Sequence, residues 1–252
     1  MSIFSEYSRY YDLFYRDKDY QGEAAYIHSL ITRHAPEART ILNLGCGSGR
    51  HDRCLSDLGY QITGVDRSEE MLAAAKSAAQ SDAQLTYAAG DIRTVRLDST
   101  FDAVISLFHV MSYQTTNRDL HDAFATAAAH LQPGGLFIFD CWYGPGVLTD
   151  PPVVRVKEVL ADDGIQVTRI AQPQLHAEKN VVDVNYHVLL TDPASGSYRE
   201  LRETHHMRYL FNPEVELGLS CAGFESPVAM EWLSNQPLGL SSWNAVFIAH
   251  KH

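Results

Sequence analysis

Gly45, Gly47 and Gly49 alternate in the run Leu44-Gly45-Cys46-Gly47-Ser48-Gly49, and Asp66 follows 21 positions after Gly45. Residues without a Cβ let a ligand press against backbone N–H groups, and such groups at a helix start attract its polar end. An acid closing the next strand at about this distance can accept hydrogen bonds from both hydroxyls of a ribose. The glycines and Asp66 together predict a site for an adenosine-type cofactor. Spacing narrows the choice. The dinucleotide fingerprint is GxGxxG, its last glycine packing beside a pyrophosphate, whereas position 50 is Arg here. That disfavours a nicotinamide-dependent oxidoreductase.

These residues need elements to hold them. Ile41, Leu42 and Leu44 form one apolar run and Ile62 to Val65 a second, so the stretch reads as strand, glycine loop, helix, strand, acid. The alternation continues with a helix near Glu69 to Gln80, strands at Leu85 to Ala89 and Asp102 to Leu107, a helix near Arg118 to Leu131, and a strand at Leu136 to Asp140. This predicts an α/β fold with a mostly parallel sheet, whose ligands bind beyond the carboxyl ends of the strands. Asp66, Asp91, His109 and Trp142 all follow strand ends and are expected on one rim. From about Pro151 the pattern changes to period two, with Val182, Val184, Tyr186, Val188 and Leu190 on one face, and an antiparallel β insertion is expected from 153 to 210. A helix from Pro213 to Cys221 and strands at Phe224 to Leu233 and Trp243 to Ala249 would complete the first sheet. The expected division is a cofactor-binding α/β domain over 1–150, the insertion over 151–210, and sheet completion over 211–252.

Composition limits the function. The 252 residues are 45% hydrophobic, enough for a substantial core, and 20 Lys and Arg against 31 Asp and Glu give a net charge of −11. No basic cluster could neutralise a run of phosphates, so nucleic acid is a poor partner. No apolar run approaches the roughly 20 residues that span a bilayer, and a cytoplasmic protein without membrane attachment is expected. Cys46, Cys54, Cys141 and Cys221 are scattered without CxxC, which fits reduced thiols better than disulfides or zinc. No metal site is expected. For Cys46, inside the glycine loop, the plainer reading is a small residue whose backbone matters more than its sulfur.

GxGxG followed by Gly64-Val65-Asp66-Arg67-Ser68-Glu69-Glu70-Met71-Leu72 resembles the class I S-adenosylmethionine (SAM) methyltransferases. The resemblance implies a doubly wound, mostly parallel seven-stranded sheet and SAM as cofactor. It assigns Gly45, Cys46, Gly47, Gly49, Asp66, Arg67, Met71 and Leu107 to cofactor binding, with Gly90-Asp91-Ile92 at the adenine and Asp91 facing its amino group. His130-Leu131-Gln132-Pro133-Gly134-Gly135 resembles the family's turn before the fifth strand and is structural. Tyr10-Tyr11-Asp12-Leu13-Phe14-Tyr15 and Lys18-Asp19-Tyr20 resemble the YDxxY…KDY segment of small-molecule methyltransferases, including the amino-sugar N,N-dimethyltransferases. There the segment is a lid over SAM, which implies Tyr11, Tyr15 and Tyr20 at the cofactor and Tyr15 beside the transferred methyl. Asp140-Cys141-Trp142-Tyr143 and Glu203-Thr204-His205-His206-Met207-Arg208-Tyr209 also resemble that group. An amphipathic helix whose tyrosines pack on the sheet is the competing reading of the amino-terminal segment.

Two departures stand out. Position 43 is Asn where the family usually carries an acid that helps hold the cofactor's ammonium, and 239–244 lacks the cation that holds a nucleotide diphosphate in the amino-sugar enzymes. Among the histidines, His109 is the candidate general base, a role worth about 10²- to 10⁴-fold. His205 and Tyr209, on one face of a strand, would roof an acceptor pocket with Trp142 and Tyr143. Each histidine also has a structural reading, the commoner fate of an isolated one. The expected activity is in-line transfer of a methyl to a nitrogen or oxygen of a small molecule, with a homodimer as a possible assembly. The alternative is a SAM-binding regulatory or partner protein without turnover.

Overall fold

The computed structural model describes residues 13–79, 82–161, 164–193 and 195–252. Helix α1 (Tyr20–His34) starts where Asp19 accepts a hydrogen bond from the Gly22 N–H at 2.8 Å, and it buries Ala24, Ile27, Leu30 and Ile31 on one stripe. Strand β1 (Thr40–Leu44) leads through the glycine loop into α2 (Arg50–Asp57), then β2 (Gln61–Asp66), α3 (Glu69–Ala79) and β3 (Leu85–Ala89). Strand β4 (Phe101–Ser106), helix α4 (Asn117–Ala129) and β5 (Leu131–Tyr143) follow, and Thr116 caps α4 by accepting from the Asp119 N–H at 3.0 Å. The chain continues with α5 (Gly144–Thr149), strands β6 (Arg155–Leu160), β7 (Gln166–His176), β8 (Val181–Thr191) and β9 (Tyr198–Leu210), helix α6 (Asn212–Cys221), β10 (Val228–Glu231) and β11 (Asn244–His250).

Seven strands form the main sheet in the order β3-β2-β1-β4-β5-β11-β10, with β11 antiparallel to both neighbours. Helices α1 and α2 pack on one face, where Ile27, Leu30, Ile31 and Leu55 meet Ile41, Ile105 and Val246. Helices α4 and α6 pack on the other through Leu120, Phe124, Val215 and Leu219. The other four strands form an antiparallel sheet, β6-β7-β8-β9. The two sheets meet where Trp142 and Tyr143 at the end of β5 pair with Tyr209 and Leu210 at the end of β9. That junction carries β9 over the carboxyl ends of the parallel strands.

Three expectations need correction. Strand β5 extends beyond Leu136–Asp140 at both ends, because Leu131 pairs with Phe101 and Trp142 and Tyr143 pair with both β11 and β9 or the latter alone. The expected turn over 130–135 is therefore a bulged strand start, with Gly134 at φ 77 taking the left-handed conformation a bulge needs. Strand β10 is shorter than Phe224 to Leu233, and Phe224 makes only an isolated bridge to Lys251.

Helix α5 packs close to the 242–243 backbone. A Cβ on Gly146 would lie 2.1 Å from the Ser242 carbonyl oxygen and 2.8 Å from the Trp243 Cα. Backbone on both sides cannot rotate away, so Gly146→Ala is expected to destabilise the protein by about 1–3 kcal/mol. Urea unfolding checks this, and an unchanged midpoint would show that the 242–243 segment yields freely.

Candidate active site

The glycine loop is shaped by β2 as much as by its own sequence. The Gly45 and Cys46 N–H groups both donate to the Val65 carbonyl, at 2.7 and 3.0 Å, which folds the loop back over the β2 end. Gly45, at φ 82, lies so close to Val110 that a Cβ would meet its methyls at 2.5 Å. Gly47, at φ 55, has no described atom within 4 Å of where a Cβ would stand. Asp66 accepts from the Gly47 N–H and the Ser68 N–H, each at 2.9 Å, one on each carboxylate oxygen. Each oxygen keeps acceptor capacity for a ligand hydroxyl.

Three contiguous cavities run along this rim. The first, about 220 Å³, is bordered by Gly45, Asp66, Arg67, Gly90, Asp91 and Ile92. The second, about 110 Å³, shares Gly45 and Asp66 and adds Tyr20, Asn43, Cys46, Gly47, Met71 and Leu107. A third, about 80 Å³, is bordered by Tyr15, Phe108, His109, Trp142, Tyr186 and His205. Asp66 sits between the first two, and Phe108 joins the second to the third. A nucleoside in the first cavity would therefore set its ribose at Asp66 and aim its 5′ substituent toward the aromatic third cavity. The clearance at Gly47, the ligand-ready oxygens of Asp66 and the apolar Ile92, Met71 and Leu107 fit S-adenosylmethionine.

Most of the expected residues border these cavities. Gly49 does not: at φ 69 it caps α2, and a Cβ there would meet the Tyr87 hydroxyl at 2.3 Å. Asp91 is held by Arg93, whose Nε and Nη2 lie 2.9 and 2.6 Å from its two oxygens, and this pairing keeps the carboxyl below the usual range. Tyr11 lies outside the described residues. Tyr209 and Tyr143 are not at the acceptor cavity. Tyr209 is fully buried against Val147 and Met207, because at the sheet junction α5 covers the face that borders the third cavity at His205. Tyr143 packs on the main core, since neighbouring residues of a strand point to opposite faces and Trp142 takes the cavity side.

His109 is fixed unusually firmly. It and Phe108 have φ of 63 and 66, a left-handed pair uncommon for residues other than glycine. The buried Asp140 compensates by accepting the His109 N–H at 3.2 Å on both oxygens. The ring Nδ1 also lies 2.6 Å from Asp140 Oδ2, but off the line of an ideal N–H donor.

Several site residues carried no signal in the sequence. Tyr113 borders all three cavities from an unremarkable loop, the 3₁₀ turn Val110–Tyr113. Glu23 of α1 pairs with Lys18 and with His51, whose Nε2 is 2.7 Å away. Burial would raise the Glu23 carboxyl, yet His51 and Lys18 outweigh it and hold the group below its ordinary value. This cluster ties the amino-terminal segment to the helix after the glycine loop. Behind the missing acid at position 43 stands Asp52, fully buried, which accepts from Asn43 Nδ2 at 2.6 Å. Asn43 Oδ1 has no partner among the described residues and belongs to a residue that borders the second cavity. Burial also pushes the Cys46 thiol well above its ordinary value, helped by the negative Asp52 and Asp66.

Comparison with known proteins adds the following. A family described as "Methyltransferase domain" matches residues 41–135. A Streptomyces venezuelae dTDP-3-amino-3,4,6-trideoxy-alpha-D-glucopyranose N,N-dimethyltransferase is 33% identical over 231 residues, 91% of this chain and 92% of that protein. The crystal structure of Streptomyces venezuelae DesVI superposes with a TM-score of 0.81 at 28% identity, covering 98% of this chain and 99% of the other. SAM-bound CalS10, an amino pentose methyltransferase from Micromonospora echinaspora, gives 0.76 at 26% identity, covering 99% and 98%.

Two outcomes are expected from these contacts. Asp66→Ala removes a carboxylate placed for two ribose hydroxyls, each charged hydrogen bond being worth about 1.5–3 kcal/mol, so calorimetry should find SAM affinity reduced by about 100-fold or more. Parent-like binding would remove Asp66 from the ribose. The second concerns Asp52, whose carboxyl burial raises to about 6 from 3.8, although the Asn43 hydrogen bond opposes it. A raised acid binds more protons when folded, so its contribution is fully present at low pH and is lost as pH climbs between about 4 and 6. Asp52→Asn does not titrate. Its unfolding temperature should match or trail the parent's at pH 4 and gain on it steadily up to pH 7, and a constant difference would mean that Asp52 does not ionise in that window.

Proposed function

This chain belongs to the class I S-adenosylmethionine-dependent methyltransferases, and from that membership we propose that it methylates the amino nitrogen of an amino sugar. It transfers methyl groups to a small molecule. The finer reading, nitrogen of an amino sugar, is supported above all by the third cavity, whose walls are Tyr15, Phe108, Trp142 and Tyr186 with two histidines. Aromatic faces attract an amino group and its neighbouring C–H surface without needing a charge of their own. The names of the relatives point the same way. The dimethyltransferase from Streptomyces venezuelae acts on a dTDP-linked 3-amino sugar and CalS10 on an amino pentose. A regulator without turnover finds no support among them.

When bound, S-adenosylmethionine would supply a sulfonium methyl carbon that an uncharged nitrogen can attack, with the thioether sulfur as leaving group. The chain's own task is to present that nitrogen in line. Two reactants well held can reach effective molarities of about 10⁵ to 10⁸ M, more than any single base contributes. Tyr15 stacks edge-on to Phe108 at 5.0 Å, and Trp142 meets Trp243 edge-on at 4.9 Å, so both walls are buttressed. Arg169 Nη1 lies 3.4 Å from the Tyr15 hydroxyl, and its guanidinium sits over the Phe14 and Tyr186 rings. The Tyr186 hydroxyl is pushed by burial up to about 12 and stays protonated. We assign Tyr15 and His109 to the acceptor side, and Tyr20, Gly45, Cys46, Gly47, Asp66, Arg67, Met71, Gly90, Asp91, Ile92 and Leu107 to the cofactor side. The inserted sheet is the acceptor-facing unit of the chain, which we place in the cytoplasm, where its four free thiols stay reduced.

The test is incubation of the protein with SAM and a dTDP-linked 3-amino sugar, followed by mass spectrometry of the fragment carrying nitrogen. One or two added methyls on nitrogen are expected, and methylation confined to oxygen would refute the assignment. In the same assay His109→Ala should lose less than about 10²-fold in turnover, the lower end of what a general base contributes. A loss near 10⁴-fold would make His109 the base.

A further inference from the structure

An amine attacks carbon only when its nitrogen carries a lone pair, whereas an aromatic cavity stabilises the ammonium form. A group in the cavity wall must therefore take the proton and pass it on. His109 heads no such chain: its ring is 19% exposed, but its carboxylate partner Asp140 is 1% exposed and a proton moved there would stay buried. The other side of the cavity has an outlet. The Tyr113 hydroxyl is 2.7 Å from His205 Nδ1, His205 is buried, and its Nε2 is 3.4 Å from Glu203 Oε2. The Glu203 side chain is 15% exposed. Glu203 and His205 share a face of β9, two residues apart, as strand alternation requires.

We propose that Tyr113, His205 and Glu203 form a proton relay that frees the acceptor amine for methylation. Tyr113 touches the amine, and His205 and Glu203 are positioning residues behind it. This inference rests on the amine reading of the acceptor. In the relay an ammonium N–H bond breaks as its proton passes to the Tyr113 oxygen. The original Tyr113 proton moves to His205 Nδ1, and the nitrogen keeps the electron pair that later attacks the methyl carbon. Positive charge thus moves from the amine to an imidazolium whose Nε2–H faces the Glu203 carboxylate. Glu203, whose side chain is 15% exposed, is the way out for the proton from His205 Nε2. Other groups facing His205 are Tyr186 of β8, edge-on at 4.9 Å and capped by Arg169, with Tyr15 and His109 across the cavity; neighbouring His206 pairs with Asp183 at 2.5 Å.

The experiment is a pH series of steady-state rates with the dTDP-linked 3-amino sugar, for the parent and for Tyr113→Phe and Glu203→Gln, alongside NMR titration of ¹⁵N-histidine-labelled proteins without acceptor. Tyr113→Phe should lower kcat by about 10²-fold with KM little changed. Glu203→Gln removes the charge that favours the imidazolium, so the acid limb of kcat/KM should move down by about one pH unit, and the His205 titration should move with it while His109 does not. Parent-like kcat in Tyr113→Phe, or an acid limb and a His205 titration both unmoved in Glu203→Gln, would overturn the relay. If the parent leaves the amino sugar unmethylated, the proposed acceptor falls instead. The His205 titration, which needs no acceptor, then decides the relay: movement in both variants upholds it and no movement overturns it.

Discussion

Two backbone pairings, Trp142 with Tyr209 and Tyr143 with Leu210, set the geometry on which the acceptor side depends. The parallel strands alone would end in an open rim with a cofactor crevice and no roof. Because β9 continues the sheet from the last residues of β5, its preceding residues project back over that rim, and His205 reaches the cavity shared with Trp142 and His109. The long β7–β8 and β8–β9 ladders hold the roof rigid, each pairing eleven residues. Packing Phe14, which is 1% exposed, against Val167, Val188 and Leu190 of this sheet joins the amino-terminal segment to the same frame.

An acidic chain must keep its buried carboxylates satisfied, and each one at the site is answered locally. Asp66 takes two backbone N–H groups, Asp140 takes the His109 N–H on both oxygens, Asp91 takes Arg93, Glu23 takes His51 and Lys18. Asp52 has the least support, with one amide at 2.6 Å and a second oxygen without a hydrogen-bond partner among the described residues. That is the carboxyl which burial raises most visibly. Unpaired buried charge is costly, and proteins keep it where it acts on something else. Here it orients Asn43 so that the amide donates inward and the carbonyl oxygen is left without a partner among the described residues.

The glycine loop and the strand ends around it were legible in the chain because their constraints are local. Alternating glycines, the acid after β2 and the GDI turn after β3 are each fixed by a few neighbouring residues, and the strand limits of β3 follow from its own apolar run. The acceptor half was legible only in part. Tyr113 and Glu203 lie 90 positions apart in sequence and meet through His205, and no local pattern encodes that meeting. Tyr143 and Tyr209 misled for the complementary reason. Their chemistry suits a binding wall, but the face each takes is set by strand alternation and by the packing of α5, which lie outside the motif. Strand β5 outran its apolar run because pairing partners at both ends, rather than propensity, decide where a strand stops.

Cys46 shows what it takes to house an alkylating reagent. Sulfur is a strong nucleophile, but only as thiolate, and this one sits in the loop that borders the second cavity. Burial and two nearby carboxylates keep its proton on. Burial first, and the two acids beside it, thus keep this thiol protonated, so the wall of the cavity presents no thiolate to an alkylating ligand.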